Sequence, residues 1–163
     1  MDAARSWRAR HRYYRQLYPL WADLTEAIPD LMLTGGSQER RVPIQELGFA
    51  LQRRIVEICD ARLALRDYTD RSVTEAAIRC GLDTNLIGRH LDIAVEAARI
   101  RAGLRALRAG HLAERVDENA PYDPPGDYDE QIAWLAQVSH AYQNQRTAPL
   151  GEAAGTETAP ANA

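Results

Sequence analysis

The stretch from Thr84 to Gly110 carries a pattern that few folds can absorb. At about 100° per residue, Leu86, Ile93, Ala97, Ile100, Leu104 and Leu107 form one stripe, while Leu91, Val95, Ala98 and Ala102 carry apolar surface to another side. A helix apolar on two sides has to be enclosed by neighbours. The pattern therefore predicts a central helix, capped by Asp83 or Thr84 and stopped at Gly110. Its small residues, among them Ala94, Gly103 and Ala106, let adjacent backbones approach closely.

Helical periods elsewhere supply the neighbours. From Asp2 to Ile28, Trp7, Tyr14, Leu17, Tyr18, Trp21, Leu24 and Ile28 share one broad face, and Pro19, unable to donate to the preceding turn, predicts a bend or restart. Residues 29–42, with Gly35-Gly36, have no sustained period and read as a loop. Pro43 suits a first helical position, and Ile44, Leu47, Leu51, Ile55, Ile58, Arg62 and Leu65 recur every three or four residues over about 43–66. Ser72-Val73-Thr74-Glu75 is a capping-box pattern and Gly81 a left-handed stop, which predicts a short helix over 73–80. After the breaker run Pro121-Tyr122-Asp123-Pro124-Pro125-Gly126, Asp127-Tyr128-Asp129-Glu130 is a second capping box. It opens a helix with Tyr128, Ile132, Leu135, Val138, Ser139 and Tyr142 on one side, running to about Gln145. No hairpin signal or internal repeat occurs. The expected fold is all-α, a compact bundle of about five helices with the fourth at the centre, over residues 1–146. Residues 147–163, lacking period and apolar content, are expected to be a disordered tail.

The chain has 163 residues, 45% of them apolar, enough for one core. It contains no apolar run of about 18 residues, and Met1-Asp2-Ala3-Ala4-Arg5 does not resemble a secretory signal; the expected location is the cytoplasm. Cys59 and Cys80 are too few for a disulfide scaffold and too isolated for a zinc site, and are expected to be buried thiols. The net charge of −3 hides a gradient. Residues 1–15 hold five Arg against one Asp, residues 16–108 thirteen Arg against thirteen acids, and residues 109–163 two Arg against nine acids. No Lys is present, so every basic side chain is a planar, permanently charged fork.

Enzyme signatures are sparse: there is no Gly-rich phosphate loop, no Gly-x-Ser-x-Gly and no His-Glu-x-x-His. A metal or acid/base site would have to be centred on Glu57, Asp60 and Glu96. His11, His90, His111 and His140 are each alone in their segments, so no cofactor is expected. The favoured reading is a structural ion-pair network of Arg53, Arg54, Glu57, Asp60, Arg62 and Glu96, in which Glu96 accepts a guanidinium across a helix interface.

Two binding surfaces are legible. Arg5, Arg8, Arg12 and Arg15, spaced 3, 4 and 3, cluster opposite the apolar face of the first helix, with Arg10 the exception, and form a candidate surface for anions. The run Thr74 to Leu91 has helix-turn-helix spacing, with Ala77, then Gly81 at the turn, then Ile87. Against it, Arg89 and Arg99 are matched by Asp92 and Glu96, so the would-be recognition helix is neutral.

Tyr18-Pro19-Leu20-Trp21, the stretch Gln52 to Arg66, Val95-Glu96-Ala97-Ala98 with Leu104 and Gly110, and Ile132-Ala133-Trp134-Leu135 with Ser139 resemble an actinobacterial domain of unknown function. The similarity covers about residues 12–145. In that family the domain usually forms the cytosolic C-terminal part of multi-pass membrane proteins, whose spanning segments this sequence lacks. The resemblance implies a cytosolic helical interaction or regulatory domain at the inner face of the membrane, and with the sparse enzyme signatures the expected function is non-enzymatic: binding a protein partner, itself, or an anionic membrane surface. The alternative is a DNA-binding transcription regulator using Thr74 to Leu91.

Overall fold

The computed structural model describes residues 2–31, 43, 45–117 and 126–147, with backbone alone at 2–6, 31 and 145–147. The described residues form five α-helices: α1 (Asp2–Ala27), α2 (Leu47–Ala64), α3 (Arg71–Asp83), α4 (Gly88–Ala109) and α5 (Tyr128–Thr147). Two 3-10 turns, Pro29–Leu31 and Leu65–Tyr68, follow α1 and α2. Most of the expected loop and breaker run, and the expected tail beyond Thr147, lie outside the described residues.

The apolar periods direct the packing. Leu17, Leu20 and Leu24 of α1, Leu51 and Ile58 of α2, Leu104 of α4 and Leu135 and Val138 of α5 are almost wholly buried. Each full burial of such a side chain contributes about 1.5–3 kcal/mol. Helix α4 packs on α3, α5, the Leu65–Tyr68 turn and α1, while α1 lies between α2 and α5. Gly103 explains how the turn comes so close. A Cβ there would sit 2.8 Å from Thr69 Oγ1 and 3.2 Å from Leu65 Cβ.

Helix α1 continues through Pro19 without a restart. Proline removes the amide that would bond the carbonyl of Arg15, and the carbonyls on either side of it find partners on other helices. Arg54 Nη1 of α2 donates to the carbonyl of Tyr14, and Ser139 Oγ of α5 donates to that of Gln16 at 2.7 Å. A third tie joins the Tyr142 hydroxyl to Asp23 Oδ2 at 2.7 Å.

The corner between α3 and α4 departs from expectation. Helix α3 begins at Arg71, capped by Asp70, whose Oδ1 accepts from the Ser72 amide at 2.8 Å; Ser72 itself is not the cap. Asp70 Oδ2 also accepts from the Arg115 amide at 3.0 Å, and Arg71 N donates to Arg115 O, so one residue holds both the start of α3 and the segment after α4. Gly81 is not a left-handed stop. It is a buried helical residue whose Cβ would overlap the Leu91 side chain. The left-handed position is Asn85, φ 59°, and Leu86 N bonds back to Gly81 O while Asn85 N bonds to Leu82 O. Helix α4 then starts after Ile87 with no side-chain cap, rather than at Asp83 or Thr84. Its other end follows the same left-handed scheme at Gly110, φ 69°, as expected. The thiols also differ from expectation: Cys59 is half-buried and Cys80, on the outer side of α3, is exposed.

Candidate functional site

The charged residues of α2 divide between two interfaces. Toward α1, Arg54 is 3% exposed and its guanidinium carbon lies 3.6 Å from the Tyr14 ring centre and 4.5 Å from that of Trp21. Burial pulls this guanidinium below its ordinary pKa, opposed by Tyr14, Tyr18 and Glu57. Beside it both oxygens of buried Glu57 are occupied. Oε2 accepts from Trp21 Nε1 at 2.6 Å and Oε1 from Arg53 Nε at 3.0 Å.

Toward α4, Arg62 Nε donates to Glu96 Oε1 at 2.6 Å and Arg99 Nη1 to Glu96 Oε2 at 2.9 Å. All three side chains are almost fully enclosed, at 1%, 6% and 7% exposure for Arg62, Arg99 and Glu96. Arg62 also lies over the Trp134 ring, 5.0 Å from its centre. The partners of Glu96 are thus Arg62 and Arg99. Arg53, Arg54 and Glu57, expected to join Glu96, serve the α1 interface instead, and Asp60 faces solvent. The sequence did not place Arg99 and Trp134 in this cluster, although both sit at helical spacing from buried positions. Among the described residues, no group of three His, Cys, Asp or Glu side chains is arranged to hold a metal ion.

The N-terminal arginines take part in a different arrangement. Arg8, Arg12 and Arg15 are exposed on one side of α1; Arg5 lies on the same helix, with its side chain outside the described residues. Arg8, Arg12 and Arg15 border a groove of about 490 Å³ between α1 and α5, together with His11, Gln16, His140 and Gln143. Three features fix its walls. His11 stacks on Trp7 with ring centres 5.4 Å apart, Arg12 lies 5.3 Å from the Tyr13 ring centre, and Ser139, fully buried, bonds the Gln16 carbonyl directly beneath. His140 and Gln143 escaped the sequence reading. The signal was the 4,3 spacing of Ala136, His140 and Gln143 beside the apolar stripe of α5. No carboxylate borders the groove among the described residues.

At the expected helix-turn-helix, the first turn of α4 is open, with Arg89, His90 and Asp92 exposed. From Ile93 onward, Ile93, Glu96, Ala97 and Ile100 turn into the core.

The fold and site define an all-α domain with arginine-carboxylate clusters in its interior and a basic groove on its surface. Residues 6–146 match a family of unknown function, DUF6545, and the chain belongs to that family. No curated protein and no solved structure matches it. No helix among the described residues is long and apolar enough to cross a membrane.

Proposed function

We propose that the chain is a non-enzymatic interaction domain that docks on an anionic membrane surface, at the cytoplasmic face, through the α1/α5 groove. The observation that carries this reading is the convergence of Arg8, Arg12 and Arg15 with His11 and His140 from two helices locked to each other. Scattered solvated charge has no such common wall. Guanidiniums bind phosphate oxygens through paired N–H groups, and each basic residue near an acidic leaflet contributes about 1 kcal/mol. The interior acids favour the same reading, because both oxygens of Glu57 and of Glu96 are already occupied in holding helices together. The resemblance to cytosolic parts of actinobacterial membrane proteins agrees with a site beside the bilayer.

The test is sedimentation of the chain with vesicles of phosphatidylglycerol and phosphatidylcholine, against phosphatidylcholine alone. Binding to the acidic vesicles alone is expected, weakening with salt. Changing Arg8, Arg12 and Arg15 to Gln together should lower it by roughly a hundredfold, about 3 kcal/mol at about 1 per residue. Binding that survives the triple change, or none to acidic vesicles, refutes the proposal. The DNA-binding alternative rests on Thr74 to Leu91. The buried course of α4 after Asp92 weighs against it, and sequence-selective binding of duplex fragments at physiological salt would restore it.

A further inference from the structure

The outer side of α2 is unlike that of α1. On α1 the exposed positions with described side chains, from Arg8 to Glu26, are all polar. On α2 they include Phe49, Val56 and Leu63, which are 74%, 42% and 56% exposed. Single apolar residues on a surface are ordinary. Three at intervals of seven are a helix-pairing seam, running about 21 Å along α2 at 1.5 Å per residue. Between them lie exposed Gln52 and Asp60 and half-buried Arg53.

We infer that this seam pairs α2 with α2 of a second copy, antiparallel, about a two-fold axis at Val56. The order of residues selects the occupant. About that axis Phe49 meets Leu63 of the partner subunit, Val56 meets itself, and the amide of Gln52 comes beside Asp60 of the partner subunit. Residues 49 and 63, and 52 and 60, are equidistant from 56, so both halves of the contact are made at once, as a two-fold interface requires. A parallel pairing would set Asp60 against its own copy. A foreign helix would have to reproduce this order by chance. The pairing also leaves the α1/α5 groove uncovered, because that groove lies on other helices, so the inference stands or falls independently of membrane docking. One helix pair covers less than the ~800 Å² per partner of a standard interface, and the expected dissociation constant is therefore on the order of 10–100 µM.

Sedimentation equilibrium of the full chain across that concentration range tests this. The mass is expected to rise from the 18.3 kDa of one chain toward twice that value. Val56→Asp sets two carboxylates on the axis and should raise the dissociation constant at least tenfold, with helical circular dichroism unchanged because the side chain is on the surface. Asp60→Arg should likewise weaken association, and adding Gln52→Glu should restore it by exchanging the two ends of the contact. Three results would overturn the inference: a single-chain mass at about 200 µM, association indifferent to Val56→Asp, or failure of the paired exchange to recover what Asp60→Arg removes.

Discussion

Removing the Glu96 carboxylate should destabilise this domain more than most single substitutions. Glu96 bonds both Arg62 and Arg99, so removing its carboxylate takes the anion away from two enclosed guanidiniums at once. Many buried ionisable groups escape such stress by changing protonation state. Arginine cannot, since its guanidinium stays charged under any ordinary condition. Nor does Arg62 have spare bonds, because its Nη1 and Nη2 are already buried with no hydrogen-bond partner among the described residues, leaving the Trp134 face as the remaining compensation. Stranding charge in a buried pair destabilises by about 3–5 kcal/mol. Because one carboxylate serves two buried guanidiniums, Glu96→Ala falls near the upper end of that range. At roughly 3–5 °C per kcal/mol for a domain of this size, the melting temperature should fall by about 10–20 °C, read by circular dichroism at 222 nm with urea midpoints as a second measure. Glu96→Leu with Arg62→Met and Arg99→Met removes the anion and both cations together, and should recover most of the loss. A Glu96→Ala protein that melts with the parent would refute the reasoning, and so would a triple variant no better than the single one.

Three further outcomes are expected. Leu104→Asp places a charge where the side chain is 1% exposed and should abolish the cooperative unfolding transition at 25 °C; a retained sharp transition would show that α4 is not enclosed. Gly103→Ala should lose about 1–3 kcal/mol in urea unfolding despite the better helix propensity of alanine, because the new methyl meets Thr69 and Leu65; a gain in stability would mean that the Leu65–Tyr68 turn yields freely. Hydrogen bonds from Ser72, and then Arg115, hold the Asp70 carboxyl below its ordinary pKa. Its stabilisation is therefore present above the unfolded value of about 3.9 and lost as pH falls through the folded one, so the urea midpoints of Asp70→Asn and the parent should differ at pH 6 and draw together as the pH is lowered past the unfolded value, and a gap independent of pH would contradict this.

The periodic apolar positions were legible because burial of a helix face depends on spacing alone. Leu47, Leu51, Ile55, Ile58, Arg62 and Leu65 all lie in the core, as does most of the α4 stripe. The corner was misread because two local signals competed with tertiary ones. Ser72 and Glu75 fit the capping-box spacing, yet Asp70 reaches the Ser72 amide and is held there by Arg115, forty-five residues away. Gly81 fits a stop, yet glycine is accommodated there by the approach of Leu91, and Asn85 makes the turn. The charged clusters were half legible. Spacing brings Arg53 and Glu57 together along one helix, but the enclosure of Arg54 depends on Tyr14 and Trp21 from another. The groove likewise needed α5 to be laid beside α1 before His140 joined the arginines.

The carbonyls flanking Arg15, close to Pro19, have a consequence for the order of events during synthesis. The bond from Ser139 to Gln16 spans 123 residues. At roughly 5–20 residues per second, the ribosome takes about 6–25 s to supply that second partner after the first has emerged. Throughout that interval α1 lacks the helix that covers one flank, and Leu17, Leu20 and Leu24 have at most α2 and α4 to shelter them. Of the five helices, the first to be made is therefore the last to be locked. A nascent chain halted before Tyr128 should leave α1 open to proteases that the finished domain resists.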